Sequence, residues 1–296
     1  SSDDPTTLSA WKTCPDLNGD GIKDAGISPV MTKVAYDTIV MTYNSGSFAS
    51  GVVCTFSVAQ IRELYTVNLP TVAGTRTHGI IDAPASVLTG KYTFGELIDQ
   101  TSGALGPCVG TLGTGTGAPV ASTVVKLAQR SDNSGTEGDF CLQVMADVLC
   151  DSSSHQLSDN AAGLPASGND GVGDKIASDL ASMGFMDGGG AMNPAKSYAS
   201  KTDVARTTDG FTGLQIKTNG KTGIDQAVDG TYKTAVQNCI AKKTASATVN
   251  VYPVCRTLFY ITATNPIGDA KAYLEFVTAP ANNIAFSNGG LFVPLY

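Results

Sequence analysis

The chain has 296 residues and a formal net charge of −7, with 42% of its residues apolar and 15% charged. That apolar content supports a folded core and argues against intrinsic disorder, and the length allows one large domain or two small ones. An acidic chain without Lys/Arg clusters argues against a nucleic-acid backbone binder, and no apolar run reaches the roughly 18–20 residues of a membrane span.

Residues 1–30 are polar and turn-rich. Within them, Asp16, Asn18, Asp20 and Asp24 place oxygen donors at positions 1, 3, 5 and 9 of a loop with Gly21 at position 6, the spacing of EF-type calcium loops. Position 12 is Ile27, so the bidentate carboxylate is lacking and the segment is closer to the short calcium loops of secreted modules. Two readings stay open: a calcium site built from Asp16, Asn18, Asp20, Ile22 and Asp24, or an Asx-rich surface turn.

The β-branched run Val34–Tyr43 predicts a strand, and Ser57–Tyr65 a helix with a serine N-cap. A short helix follows at Phe94–Ile98, and Gly/Thr/Ser-rich residues 101–118 read as a flexible surface loop. Thr123–Ala128 predicts a strand, and Gln129–Glu137 opens a helix with Phe140, Val144, Val148 and Leu149 on its buried face. Residues 151–170 read as loop, Val172–Met183 as a helix, then Gly184-Phe185-Met186 and the glycine run Gly188–Gly190. Val249–Thr262 alternates like a strand; Asp269–Thr278 is a helix with Ala272, Tyr273, Phe276 and Val277 as its apolar residues; Leu291–Val293 is a last short strand. Strands alternating with helices predict an α/β fold.

The seven cysteines are dispersed and form no CxxC pair, and His78 and His155 lie far from any cysteine cluster, which argues against zinc. They read as disulfides of an exported protein, with buried free thiols as the alternative, and the odd count leaves at least one thiol unpaired within the chain. If Cys141 and Cys150 share one helix, nine residues at about 1.5 Å each separate them by roughly 13 Å, too far to bridge.

Arg130 to Glu137 is the segment richest in chemistry. Free N–H groups of Gly135 and Thr136 at a helix start would point at an oxyanion, and the hydroxyls of Ser134 and Thr136 add donors. Arg130 supplies a charged fork that Asp132 is placed to orient. The alternative is an ordinary capping box, Ser134 with Glu137.

This segment, Arg130-Ser131-Asp132-Asn133-Ser134-Gly135-Thr136, resembles the phosphate-binding loop of the phosphate-specific periplasmic binding proteins, including the DING type. Tyr252-Pro253-Val254-Cys255-Arg256-Thr257-Leu258-Phe259-Tyr260 is similar to that family's Tyr-Pro-x-x-Arg-x-Leu-Tyr strand. Leu88–Thr93, Gly168–Val172, Gly184–Met186 and the ending Gly289–Leu295 resemble further family segments, in family order. The resemblance implies a type II periplasmic-binding-protein fold: two α/β lobes with mixed sheets, two crossover strands and an anion in the cleft. It implies a first lobe of residues 1–38 and 254–296, incomplete, and a second lobe of 39–253 carrying the anion loop. The opening Ser1–Pro5 resembles the family's later Ser-Asp-x-Pro turn and puts Asp3 at its phosphate-accepting aspartate. The strand and glycine-rich loop that begin the first lobe are then absent, about one βαβ unit, so the chain is expected to be a fragment, to be completed by another chain, or to have lost binding. Met186–Ala191 superficially resembles the missing glycine-rich element but reads as a flexible cleft loop.

Catalysis finds no support: there is no Gly-x-Ser-x-Gly elbow, His-Glu-x-x-His or Walker loop. His78 and His155 read as surface histidines, Asp82, Glu96 and Asp99 as solvated carboxylates, and Trp11 as a core anchor. The expected function is therefore non-enzymatic capture of a tetrahedral oxyanion, phosphate first, in a periplasmic, cell-surface or extracellular setting. No cofactor is required, calcium at the 16–24 loop staying one of the two open readings, and an ABC transporter or further copies of the chain are the implied partners. The alternative is an extracellular filament or surface-lattice subunit built on the same fold.

Overall fold

The computed structural model describes residues 30–69, 76–79, 92–99, 106–130, 134–145, 164–193, 195–208, 218–219, 230–244, 246, 249, 251–262, 265–289 and 292–296. The first half contributes β1 (Val30–Asn44), β2 (Val53–Ser57), α1 (Val58–Tyr65), β3 (Thr66–Leu69), β4 (Arg76–Gly79), α2 (Phe94–Ile98), β5 (Cys108–Val109), β6 (Lys126–Arg130) and α3 (Gly135–Gln143). Then follow β7 (Leu164–Ala166), α4 (Gly168–Ser178), β8 (Ser182–Asp187), α5 (Gly188–Ala191), β9 (Thr202–Val204), β10 (Arg206–Thr208) and β11 (Thr218–Asn219). Last come α6 (Gly230–Ile240), β12 (Cys255–Thr262), α7 (Gly268–Thr278) and α8 (Pro280–Gly289).

β1 organises the main sheet, which runs β11-β9-β1-β8-β6-β7 with β12 also on β1. Its β-branched residues suit a long extended element. Val30–Thr38 pair antiparallel with β12, and Ile39–Tyr43 pair antiparallel with β8, so the partner changes between Thr38 and Ile39. β9 flanks Thr42–Asn44 on the other side. Beyond β8 the ladder is parallel, β8 to β6 and β6 to β7. Because β6, β7 and β8 point the same way, the helices that follow them, α3, α4 and α5, all begin at one edge of the sheet.

The core gathers where β6 and β8 touch. Phe140 stacks on Phe185 with ring centroids 3.9 Å apart, and Tyr65 meets both edge-on. A Cβ at Gly184 would lie 2.4 Å from the carbonyl oxygen of Ala128, so only glycine lets the two strands approach this closely. Two disulfides close loops: Cys54–Cys108 joins β2 to β5, and Cys239–Cys255 ties α6 to the start of β12. Cys141 is disulfide-bonded as well. No described helix is long and apolar enough to cross a membrane.

Several sequence expectations shift. The one-helix premise for Cys141 and Cys150 fails because α3 ends at Gln143; Cys150 lies outside the described residues. The described part of the 101–118 loop is tied down by Cys54–Cys108 and by backbone bonds from Ala49 to Thr111 and from Gly113 to Ser47. The helix expected over 172–183 is α4, ten residues back from Ser178, and Met183 belongs to β8. The Asn44 amide caps the carbonyls of Ile176 and Ala177, which closes the helix there. The glycine run is not a flexible loop: Gly188 and Gly189 are buried in a short helical turn that Asp187 caps. The strand expected from Val249 begins only at Cys255, and Leu291–Val293 reduces in its described part to a bridge between Val293 and Tyr36. In α7, Leu274 and Val277 are buried while Tyr273 and Phe276 face out, and α8 was not foreseen.

Candidate functional site

The edge where β6, β7 and β8 end is also where β1 changes partner. In open α/β sheets such a switch point leaves a crevice into which helix N-termini point. Arg130 is the last residue of β6 and is 6% exposed. Ser134 then caps α3, its hydroxyl accepting from the Glu137 N–H at 3.2 Å. This is half of the capping box that the sequence also allowed. The N–H groups of Gly135 and Thr136 have no hydrogen-bond partner among the described residues.

A buried polar chain backs this helix start. Asp37 and Arg256 are register partners across β1 and β12, so their side chains meet directly. Arg256 Nε and Nη2 donate to Asp37 Oδ2 at 3.0 and 2.7 Å, and Nη1 donates to Thr136 Oγ1 at 3.1 Å. Asn169, on the first turn of α4, donates to the same hydroxyl at 3.3 Å and accepts from the Asp187 N–H at 3.4 Å. With both lone pairs of Thr136 Oγ1 engaged, its own proton is left to point away from them. Gly189 N–H donates to Asp37 Oδ1 at 3.3 Å, and Gly190 N–H to Asp187 Oδ2 at 2.8 Å.

The electrostatics are lopsided. Burial works against the Arg256 charge, but the Asp37 carboxylate more than offsets it, and the guanidinium ends above its ordinary pKa. Asp187 has no cation in contact among the described residues. Burial first, then the nearby Asp37 charge, pushes its carboxyl up to about 6, against the opposing effect of the Gly190 N–H.

Of the residues singled out from sequence, Arg130, Ser134, Gly135 and Thr136 thus gather at the end of β6 and the start of α3. Asp3, Asp132 and the calcium-type loop of Asp16, Asn18, Asp20, Ile22 and Asp24 lie outside the described residues, as do His155 and Trp11. Among the described residues no group of three or more His, Cys, Asp or Glu side chains could hold a metal ion. Asp37, Asn169, Asp187 and Arg256 were not picked as site residues from sequence. Arg256 carried a signal as the arginine of its Tyr-Pro-x-x-Arg strand, and Asn169 and Asp187 fell within the family-like segments Gly168–Val172 and Met186–Ala191, whereas Asp37 carried none.

No family model matches the chain, and no curated protein matches it. Among solved structures it is similar to the phosphate-binding protein from Stenotrophomonas maltophilia, at 15% identity over 100% of this chain and 74% of that one, with a TM-score of 0.51. It is also similar to PfluDING, a high-affinity periplasmic phosphate-binding protein solved with phosphate bound, at 16% identity over 90% of this chain and 68% of that one, with a TM-score of 0.50. This likeness, with the mixed α/β architecture, identifies the type II periplasmic-binding-protein fold.

Proposed function

We propose that this chain is a non-enzymatic binding protein for a tetrahedral oxyanion, inorganic phosphate first, working outside the cytoplasm. The observation that carries the reading is the start of α3, where two amides without partners among the described residues lie beside a threonine hydroxyl whose lone pairs are both taken. Gly135 and Thr136 would donate from the backbone, Ser134 and Thr136 from their hydroxyls, and Arg130 would supply the charge. Arg256 is matched by Asp37 and acts by holding the Thr136 hydroxyl in one orientation. Asp132 would steady Arg130, and Asp3 would accept from a protonated ligand oxygen, which favours hydrogen phosphate over sulfate. Two solved neighbours of the same fold are phosphate-binding proteins, and the disulfides fit an oxidising compartment.

Isothermal titration with phosphate and with sulfate tests this. Saturable one-to-one heat from phosphate and less or none from sulfate is the expected outcome; silence from both overturns it.

One surface favours the second reading, a filament or surface-lattice subunit assembled from copies of this chain. Thr257–Thr262 of β12 contains no charge, proline or glycine, and Tyr260 of β12 lies against Tyr273 of α7 with ring centroids 5.8 Å apart. Tyr260, Tyr273 and Phe276 stand 41%, 46% and 62% exposed on the same part of the molecule. Light scattering across a concentration series separates the readings, since a monomer at every concentration rejects assembly.

A further inference from the structure

Asn169 does more than brace Thr136: it also lines a cavity of about 460 Å³. Asp170, Asp187, Gly189, Lys196 and the ring of Phe292 line it too. A bare phosphate ion at the start of α3 would leave this space unfilled.

The charges around the cavity do not balance. Lys196 is held by Asp170 at 2.6 Å, so those two cancel. Asp37, the other carboxylate close by, is matched by Arg256. Asp187 remains. Only its Oδ2 accepts a hydrogen bond, from Gly190; Oδ1 accepts none among the described residues, although the residue is just 9% exposed. Glycine at 190 keeps that oxygen uncovered, because a Cβ there would lie 2.7 Å from Oδ1. One unmatched carboxylate oxygen beside an aromatic ring is a seat for a single cation.

We propose that the cavity receives the ammonium end of a ligand whose oxyanion end sits at the start of α3, that is, a phosphomonoester or phosphonate carrying an amine. The inference rests on the oxyanion reading and deepens it. Asn169 sets the spacing: its amide bridges Thr136 Oγ1 and the Asp187 N–H at 3.3 and 3.4 Å, so one asparagine side chain separates the two seats. A short aliphatic linker spans that gap. Asp187 Oδ1 would accept from the ammonium, Phe292 would cover its apolar flank, and the Lys196–Asp170 pair would stand at the cavity wall.

The test is isothermal titration at neutral pH with three probes: inorganic phosphate, ethyl phosphate and phosphoethanolamine. Phosphoethanolamine should bind more tightly than ethyl phosphate by about fivefold or more, the scale of a partly buried cation contact. Asp187→Asn should erase most of that ratio. Asp170→Asn, a substitution at an exposed side chain that leaves Lys196 unmatched, should lower the ratio too and serves should Asp187→Asn not fold. A ratio below fivefold with phosphate still binding overturns the inference and leaves the oxyanion reading intact. A preference that survives both substitutions also overturns it, because the amine is then held elsewhere. No heat from any probe overturns both readings. Binding of phosphoethanolamine without inorganic phosphate supports the inference and overturns inorganic phosphate as the ligand.

Discussion

The two halves of β1 share a sequence character but not an environment. From Asp37 to Asn44 every residue is buried, whereas from Val30 to Val34 they alternate between half-buried and exposed. Both halves are rich in β-branched residues, so strand propensity does not set the difference. Neighbours do: from Ile39 on the buried half lies against β8 and β9, while Val30–Val34 is paired only with β12 among the described residues. Burial is also what permits polar residues. Asp37, Thr38, Thr42 and Asn44 all sit in the buried half, and the candidate site falls at the seam, with Asp37 opposite Arg256 and Ile39 opposite Asp187.

The most damaging way to break this contrast is at the seam itself. Arg256→Met leaves the Asp37 carboxylate buried without its guanidinium, a loss of about 3–5 kcal/mol. Asp37→Leu in the same chain should recover part of it, because the Asp37 charge is no longer stranded, while Asp139, 3.8 Å from Arg256 Nη1, and the Gly189 N–H still lose their partners. Urea unfolding of the single and double variants measures both. A single-variant loss below about 1 kcal/mol would show that water already reaches the pair and that the buried half is wetter than its packing implies.

Asp187 offers a smaller and pH-dependent effect. Its folded-state carboxyl is raised to about 6 from an ordinary 3.8, so the fold takes up a proton there more readily than the unfolded chain does. The sign follows: this group costs little stability below about pH 4, and the cost grows between about pH 4 and 6 and then levels off, on the order of 3 kcal/mol by pH 7. Asn at this position keeps an oxygen for the Gly190 N–H. Asp187→Asn should therefore be more stable than the parent at pH 7, with the gain shrinking towards zero at pH 4. A gain independent of pH would mean that ionisation of Asp187 is not its origin.

What could be read from the sequence was what is local. The Ser57 start of α1 is fixed by a reciprocal bond with Gln60, three residues on, and the Ser134 cap of α3 by Glu137 at the same spacing. The order of strands and helices follows from periodicity within short windows. The site's second half is not local. Asp37 and Arg256 lie 219 residues apart and meet only through strand register. Asp187 is perturbed because β8 pairs with Ile39 and because Asp37 is near, neither visible along the chain. Composition made Gly188–Gly190 look mobile, yet a Cβ at Gly188 or Gly189 would collide with Thr38 or Phe292. In α7 the helical period is plain, but which face is buried depends on what lies beneath it.

α7 belongs to the lean side of the comparison and gives its mildest test. Leu274 and Val277 are buried, whereas Phe276, one residue before Val277, is 62% exposed. Removing an exposed ring that touches little should change stability by no more than about 0.5 kcal/mol, so Phe276→Ser is expected to unfold with its parent in urea. The protein concentration matters to how the result is read. If Phe276→Ser is neutral in dilute solution but loses more than about 1 kcal/mol when the parent is concentrated, a second copy covers this face and stabilises the parent by mass action. A loss of that size at every concentration would instead mean that the ring is covered within one chain, and the lean half of the molecule would be better packed than its described residues make it.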